Sequence, residues 1–280
     1  MHDCSQSWEV HADFARSFLL SGSTFKSDNN LEHRELYEFA VAYFLSHDIL
    51  AATVWTPRHA HEIKDFLQHS TNSPAIHTLT GCSKELMSLI AETTDLASII
   101  TYLEMSEAPT SPRSGPVDHP PDIKHRRDDI ERRIHQLEIP AHGVQTSSDS
   151  DNGHIIAESK RLAALMYLYA RIDNANPFHP HMVRLTTQIL SFLPKISLRT
   201  NTILWPLFIV ATLGVRPESD EDRKLVLERL DALQQTRQLG NVKKARRIIE
   251  DVWKARDLRA SGALMGWSIL AGRHGTISLA

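Results

Sequence analysis

The segment from Ile155 to Asp173 constrains the fold most, because it is apolar on nearly every side of a helix. Its apolar positions are Ile155, Ile156, Leu162, Leu165, Met166, Tyr167, Leu168 and Tyr169. A helix without a polar face is stable only where neighbouring elements cover it on all sides. The segment therefore predicts a central helix with other helices packed around it.

Amphipathic helical patterns recur along the rest of the chain. Apolar residues spaced three and four apart occur after Leu31, after Ser83, from Met182 to Leu193 and from Asn241 to Asp257. Ser83 is placed to cap the N-terminus of its helix. Alternating runs typical of strands are nearly absent. We therefore predict an all-α fold, with a single irregular helical domain of about nine or ten helices spanning residues 1–280.

Two polar stretches interrupt this helical pattern, and both are predicted to be flexible, disordered loops. The first lies near residues 107–121 and contains five prolines in the fourteen residues from Ala108 to Pro121. The second lies near residues 140–153 and is rich in Ser and Asp. The two loops flank a predicted helix from about Asp122 to Leu137. This arrangement favours an excursion from one helical body, and a domain boundary is the alternative.

The composition limits the classes of function. The formal net charge of the 280 residues is −3, whereas a duplex-binding domain needs a basic excess to neutralise phosphates. We therefore expect no direct DNA contact by this chain. The two cysteines, Cys4 and Cys82, are too few for a disulfide framework or a cysteine-rich zinc module. No apolar run approaches the roughly 20 residues of a membrane span, so no membrane partner is expected.

Several segments carry a resemblance to a known family. Leu204-Trp205-Pro206-Leu207-Phe208 resembles the Trp-Pro-Leu-Phe signature of the fungal-specific transcription factor domain. Asp222-Arg223 and Val252-Trp253-Lys254-Ala255-Arg256-Asp257 are similar to the closing pattern of that family. Looser matches precede them in the family's order, at Trp8–His11, Tyr43–Leu50, Gly81–Ile90 and Leu162–Tyr169. The Trp-Pro-Leu-Phe and Val-Trp-x-x-Arg-Asp segments are the individually specific ones.

The resemblance implies a regulatory domain of a Zn₂Cys₆-type transcription factor, which acts in the nucleus on transcription by RNA polymerase II. In that family a cluster of six cysteines binds zinc and reads DNA, and the helical domain modulates activity. This chain lacks the Cys-x₂-Cys-x₆-Cys pattern, so we expect an N-terminally incomplete domain without a cofactor. Zinc is expected only in the missing cluster. The implied partners are other transcription-regulatory proteins and a homodimer partner.

Large aromatic residues define one candidate site. Trp205, Phe208 and Trp253 have the size and spacing of core residues that anchor helix crossings. The competing interpretation is that they line a pocket for a small apolar ligand, such as a sterol or a metabolite. That interpretation gives the alternative function, a stand-alone helical sensor. A helical enzyme is a third hypothesis, to which the sequence assigns no catalytic residue.

A basic cluster defines the other candidate site. Lys243, Lys244, Arg246 and Arg247 form a candidate nuclear import patch, and the competing interpretation is a solvated polar helix face. No metal site is predicted. The histidine pairs His59-x-His61 and His179-x-His181 lack a third ligand, and Asp128-Asp129-Ile130-Glu131 lies among arginines, as expected for a solvated charged face.

Overall fold

The computed structural model describes residues 31–54, 80–106, 119–137, 148–197, 201–237, 240–258, 277 and 279. These residues form eight α-helices and no β-strand. The helices are α1 (Leu31–Ala52), α2 (Lys84–Ser106), α3 (Pro121–Gln136), α4 (Ser148–Arg171), α5 (Pro180–Phe192), α6 (Leu204–Ile209), α7 (Asp220–Arg237) and α8 (Gly240–Asp257). The all-α prediction is confirmed, and the eight described helices compare with nine or ten predicted for the whole chain.

Helix α4 lies at the centre of the fold, as its sequence predicts. It packs against α2, α3, α5 and α6. Every residue from Leu162 to Ala170 is buried. Buried apolar residues from all eight helices join one continuous core. The extent of a single domain over residues 1–280 stays a prediction, because the described ranges have gaps.

The first turns of α4 correct one expectation. The helix begins at Ser148, so residues 148–153 are helical instead of belonging to the loop predicted at 140–153. The other predicted loop, 107–121, ends where α3 begins, with Pro121 in its first turn. Residues 107–118 and 140–147 lie outside the described residues.

Helix α2 begins as the sequence predicts, with the backbone N–H of Leu86 donating to Ser83 Oγ over 3.2 Å. Among the described helices it alone has the length and apolar composition to cross a membrane. That property is weak evidence for a membrane span, because half of the apolar window is buried inside the fold. Helix α2 packs against α1, α3 and α4, as a core helix does.

Residues 201–215, here called the Trp-Pro segment, change helix type twice. A 3₁₀ turn at Asn201–Ile203 leads into α6, and a π-helical turn at Val210–Gly214 follows. The glycine at its end, Gly214, packs very closely, because a Cβ there would overlap Thr186 Oγ1 and Met166 Cε. Helices α7 and α8 pack on each other, and α8 also packs on the π-helical turn.

Candidate functional site

The Trp-Pro segment is buried from Ile203 to Val215. Pro206 lies in the first turn of α6, where a missing backbone N–H is tolerated because first-turn donors have no intrahelical partner. The segment therefore contains a short core helix.

Trp205 connects α6 to the end of α1. Its side chain is fully buried, and its indole Nε1 donates to Thr53 Oγ1 over 3.0 Å. Thr53 in turn donates to the backbone oxygen of Leu50 over 2.6 Å. A buried indole N–H needs such a partner, because leaving it unpaired carries the full desolvation penalty of that group.

Two side chains of α8 hold the π-helical turn, and we call Trp253 and Arg256 the α8 clamp. Trp253 Nε1 donates to the backbone oxygen of Ala211 over 2.9 Å. Arg256 donates to two further backbone oxygens, that of Val215 over 3.2 Å and that of Thr212. Carbonyls at a helix C-terminus have no intrahelical donor, so the clamp satisfies groups that are otherwise unpaired in the core.

An ion pair supports the clamp from α7. The guanidinium of Arg223 binds Asp257 through two hydrogen bonds of 2.6 and 2.9 Å and lies 5.3 Å from the ring centre of Trp253. The bonds from Arg223 hold the pKa of the Asp257 carboxyl below its usual range. Burial, aided by the charge of Arg223, lowers the pKa of Arg256 to about 10.

The predicted ligand-pocket residues belong to this region. Trp205 and Phe208 are fully buried, and Trp253 is 5% exposed. These burials agree with the core interpretation of the three aromatics. Their lining of a ligand pocket stays a prediction. The sequence analysis identified the Trp-Pro-Leu-Phe and Val-Trp-x-x-Arg-Asp motifs separately. It did not predict that Trp253 and Arg256 bind the backbone of the Trp-Pro segment.

The predicted import patch is only partly exposed. Lys243 and Arg247 point to solvent, whereas Lys244 is half-buried. Arg246 forms ion pairs with Asp231 of α7 and, over 2.8 Å, with Glu250. The hydrogen bond to Glu250 raises the pKa of the Arg246 guanidinium. The import function stays a prediction, and it now centres on Lys243 and Arg247.

The acidic run on α3 pairs with arginines, as its surroundings in the sequence indicate. Asp128 and Glu131 accept from Arg127, and Asp129 accepts from Arg132. The interpretation as a solvated face needs one correction, because Arg127 and Arg133 bind carboxylates outside α3. Arg127 binds Asp173 at the end of α4 over 2.9 Å.

Arg133 provides the second of these links, from α3 to α2. Its Nη1 donates to Glu92 over 2.8 Å. Glu131 also takes part in a contact with α4, because it accepts a hydrogen bond from the hydroxyl of Tyr169. The sequence contains no signal for these interhelical partners, since the spacing that pairs charges along one helix says nothing about a neighbouring helix.

The histidine pair at the start of α5 forms no metal centre among the described residues. The rings of His179 and His181 stack 5.3 Å apart, and His181 also meets the ring of Tyr169 edge-on. No group of three or more His, Cys, Asp or Glu side chains within the described ranges is arranged to hold a metal ion. His59 and His61 lie outside those ranges.

A buried polar cluster is the feature that the sequence analysis missed. Lys160, in the middle of α4, is 1% exposed, and its Nζ donates to the backbone oxygen of Thr80. Cys82 and His47 are buried beside it, near enough for its charge to act on their protonation. The sequence signal that could have predicted this cluster is a lysine, Lys160, inside a helix that has no polar face.

The family described as the fungal specific transcription factor domain matches residues 1–275. No curated protein and no solved structure gives a significant match. The family match spans nearly the whole chain and includes both the Trp-Pro segment and the α8 clamp. The chain belongs to the fungal-specific transcription factor domain family.

Proposed function

We propose that the chain is the regulatory, non-DNA-reading domain of a Zn₂Cys₆-type transcription factor that acts on transcription by RNA polymerase II. The observation that carries this proposal is the family match over residues 1–275. Membership in this family suggests a nuclear, non-enzymatic protein of transcription regulation. Its proposed partners are other transcription-regulatory proteins, including a second copy of the chain.

The distribution of charge supports a regulatory instead of a DNA-reading role. A net charge of −3 gives no electrostatic attraction to a duplex. Several arginines also bind carboxylates of neighbouring helices, among them Arg127, Arg223 and Arg246. An arginine engaged in this way does not present its guanidinium to a phosphate.

The residues present do not fit a zinc cluster. Six thiolates are needed, and the sequence holds two cysteines, Cys4 and Cys82. Cys82 is fully buried, and burial raises the pKa of its thiol, which opposes the thiolate form that metals bind. We therefore assign no zinc chemistry to this chain.

A tethering experiment tests the regulatory role. Residues 1–280 are fused to an unrelated DNA-binding domain and expressed in a fungal cell with a reporter of intermediate basal activity. We expect reporter activity to change relative to the DNA-binding domain alone. Unchanged activity from a stably expressed nuclear fusion would contradict the proposal.

Matched variants then ask whether the effect depends on the clamped site. Arg256→Met removes two hydrogen bonds to the Trp-Pro segment, whereas Lys254→Met changes an exposed residue on the same helix. We expect the first variant to weaken the reporter effect and the second to preserve it. An equal effect of both variants would place the regulatory surface away from the clamp.

Nuclear import through the basic patch is tested separately. The double variant Lys243→Ala with Arg247→Ala removes the two exposed members, and Lys224→Ala with Lys254→Ala removes two exposed lysines elsewhere. With a fluorescent fusion, we expect only the first pair to reduce nuclear accumulation. Equal nuclear signal in both would assign import to another part of the protein.

The second candidate function is a stand-alone sensor of a small apolar ligand, with Trp205, Phe208 and Trp253 in its pocket. One observation favours it: the π-helical turn at Val210–Gly214 directly follows the helix that carries Phe208, and π-helical turns recur at functional sites. Mass spectrometry of an organic extract of the purified protein tests this function. A near-stoichiometric apolar compound is the expected result, and an empty extract would reject it.

A further inference from the structure

Helix α3 is attached to the fold differently from α5 and α8. Nine of its sixteen residues are charged, and three of its side chains, Ile123, Ile130 and Ile134, are buried. Helix α5 buries five of its thirteen residues, and α8 buries seven of its eighteen. Burial of apolar surface is the dominant favourable contribution to folding. Helix α3 therefore depends more on polar contacts than these two helices do.

Two ion pairs supply such contacts and reach two different neighbours. Arg127 binds Asp173, just after α4, over 2.9 Å, and Arg133 binds Glu92 of α2 over 2.8 Å. The four side chains keep between 19% and 31% of their surface exposed. Water and salt therefore reach both pairs, and salt weakens them.

The two ion pairs lie on opposite sides of the buried isoleucines. A helix turns by about 100° per residue, which places the three isoleucines in one stripe between Arg127 and Arg133. Arg127 lies on the side of α4 and Arg133 on the side of α2, and α3 packs on both helices. An apolar stripe with charged edges is the pattern of an amphipathic helix bound in a groove. We call the surface beneath α3 the α3 site, and its edges carry Glu92, Tyr169 and Asp173.

We propose that the α3 site is a docking site for an amphipathic helix of a transcription-regulatory partner, and that α3 is the resident helix which the partner replaces. The class of partner rests on the proposed regulatory function, whereas the replaceable binding of α3 does not. In the closed state α3 covers the apolar surface between α2 and α4 and blocks the partner. In the open state α3 leaves as a unit, and the other helices keep their packing.

The residues of α3 define the chemistry of the partner helix. It carries aliphatic side chains at positions i, i+7 and i+11, as Ile123, Ile130 and Ile134 do. It carries Arg or Lys at i+4 and i+10, because Asp173 and Glu92 at the edges of the site are anionic. A helix with carboxylates at those two positions is excluded, because like charges would face each other across the groove.

Peptide binding to the chain of residues 1–280 tests the site. The probe is a fluorescein-labelled synthetic peptide of residues 119–137, and its binding is measured by fluorescence anisotropy. The double variant Arg127→Glu with Arg133→Glu reverses two charges of the resident α3 and leaves the site itself unchanged. We expect this variant to bind the peptide at least about tenfold more tightly than the wild type, because a tethered wild-type α3 competes at a high effective concentration.

A matched pair of substitutions separates the ion pairs from net charge. Lys124→Glu with Arg132→Glu makes the same change in charge at two exposed positions of α3. In the chain, this control should bind the peptide as weakly as the wild type does. In the peptide, it should preserve binding to the variant chain, whereas Arg127→Glu with Arg133→Glu in the peptide should abolish it.

Hydrogen exchange of the wild-type protein provides a second test, which needs no variant. Exchange of the α3 amides is compared with that of the α5 amides at about 0.05 M and about 0.5 M NaCl. We expect α3 to exchange several-fold faster than α5 at the lower concentration. Its exchange should become several-fold faster still at the higher concentration, because screening weakens the two ion pairs, and that of α5 should change little.

Two results would overturn the proposal. In one, the variant chain retains its helical circular dichroism and either binds no peptide or binds the wild-type and charge-reversed peptides equally. In the other, α3 exchanges as slowly as α5 at both salt concentrations, which would make α3 a permanent part of the core. Neither measurement involves the reporter, so failure of the site is distinguished from failure of the proposed regulatory function.

Discussion

Lowering the pH from 7 to 5 should destabilise the folded protein through His47. This residue is 9% exposed and lies near Lys160, and the centre of its ring is 4.3 Å from the centre of the Tyr43 ring. Burial, followed by the charge of Lys160, lowers the pKa of His47 from 6.5 to about 4. Between these two values the unfolded chain binds a proton at this histidine and the folded protein does not.

The sign and size of the effect follow from proton linkage. Because the unfolded state binds more protons, the free energy of unfolding rises with pH across this interval. The contribution of His47 to the free energy of unfolding is fully present above about pH 6.5 and is lost as the pH falls towards 4. Each pKa unit corresponds to about 1.4 kcal/mol, so His47 accounts for a loss of about 2 kcal/mol between pH 7 and pH 5.

Urea unfolding at pH 7 and pH 5, followed by tryptophan fluorescence, measures this loss. His47→Gln removes the titrating group and should reduce the loss by about 2 kcal/mol. His125→Gln, the same substitution at an exposed histidine on α3, is the matched control. Lys160 is present in all three proteins, so its own titration largely cancels. Parallel pH profiles for the wild type and His47→Gln would refute the reasoning.

Two further predictions concern the Trp-Pro segment and are measured by urea unfolding at pH 7. Gly214→Ala should destabilise the protein by about 1–3 kcal/mol, because the added methyl group overlaps Thr186 Oγ1. Gly240→Ala is the control and should leave the stability nearly unchanged, because nothing lies within 4 Å of its added Cβ. Equal stability of the two alanine variants would contradict the close packing at Gly214. Arg256→Met should lower the free energy of unfolding by about 2 kcal/mol, because it leaves two buried carbonyls without a donor. Removal of a buried charge offsets part of the loss, and Lys254→Met, at an exposed position, should leave the free energy of unfolding almost unchanged. A stable Arg256→Met protein would show that water satisfies those carbonyls.

The helices were predictable because periodicity and capping are local properties of the sequence. The central position of α4 follows from the apolar run Leu162–Tyr169, which no single neighbour can cover. The N-cap at Ser83 follows from side-chain chemistry within three residues. The start of α4 at Ser148 was missed because a Ser- and Asp-rich stretch suits both a loop and the first turn of a helix.

The polar core could not be predicted for a different reason. Lys160 meets the Thr80 backbone across 80 positions of sequence, and Arg256 meets the Thr212 backbone across 44. Backbone acceptors are present at every residue, so no residue type marks them in advance. The π-helical turn could not be predicted either. It differs from an α-helix in the register of its hydrogen bonds, and no pattern of side chains distinguishes the two.

The clamp explains why the Val-Trp-x-x-Arg-Asp motif is specific while most of the remaining family pattern is only apolar. Most core positions need volume and apolar surface, which several residue types supply. At Trp253 the position needs a large ring and one N–H directed at the Ala211 oxygen, and only an indole combines these. At Arg256 it needs donors that reach two carbonyls at once and keep their protons in a buried site, which a guanidinium provides. The Val-Trp-x-x-Arg-Asp motif therefore holds the π-helical turn that directly follows the Trp-Pro-Leu-Phe motif, and a change at Trp253 or Arg256 should act on that turn.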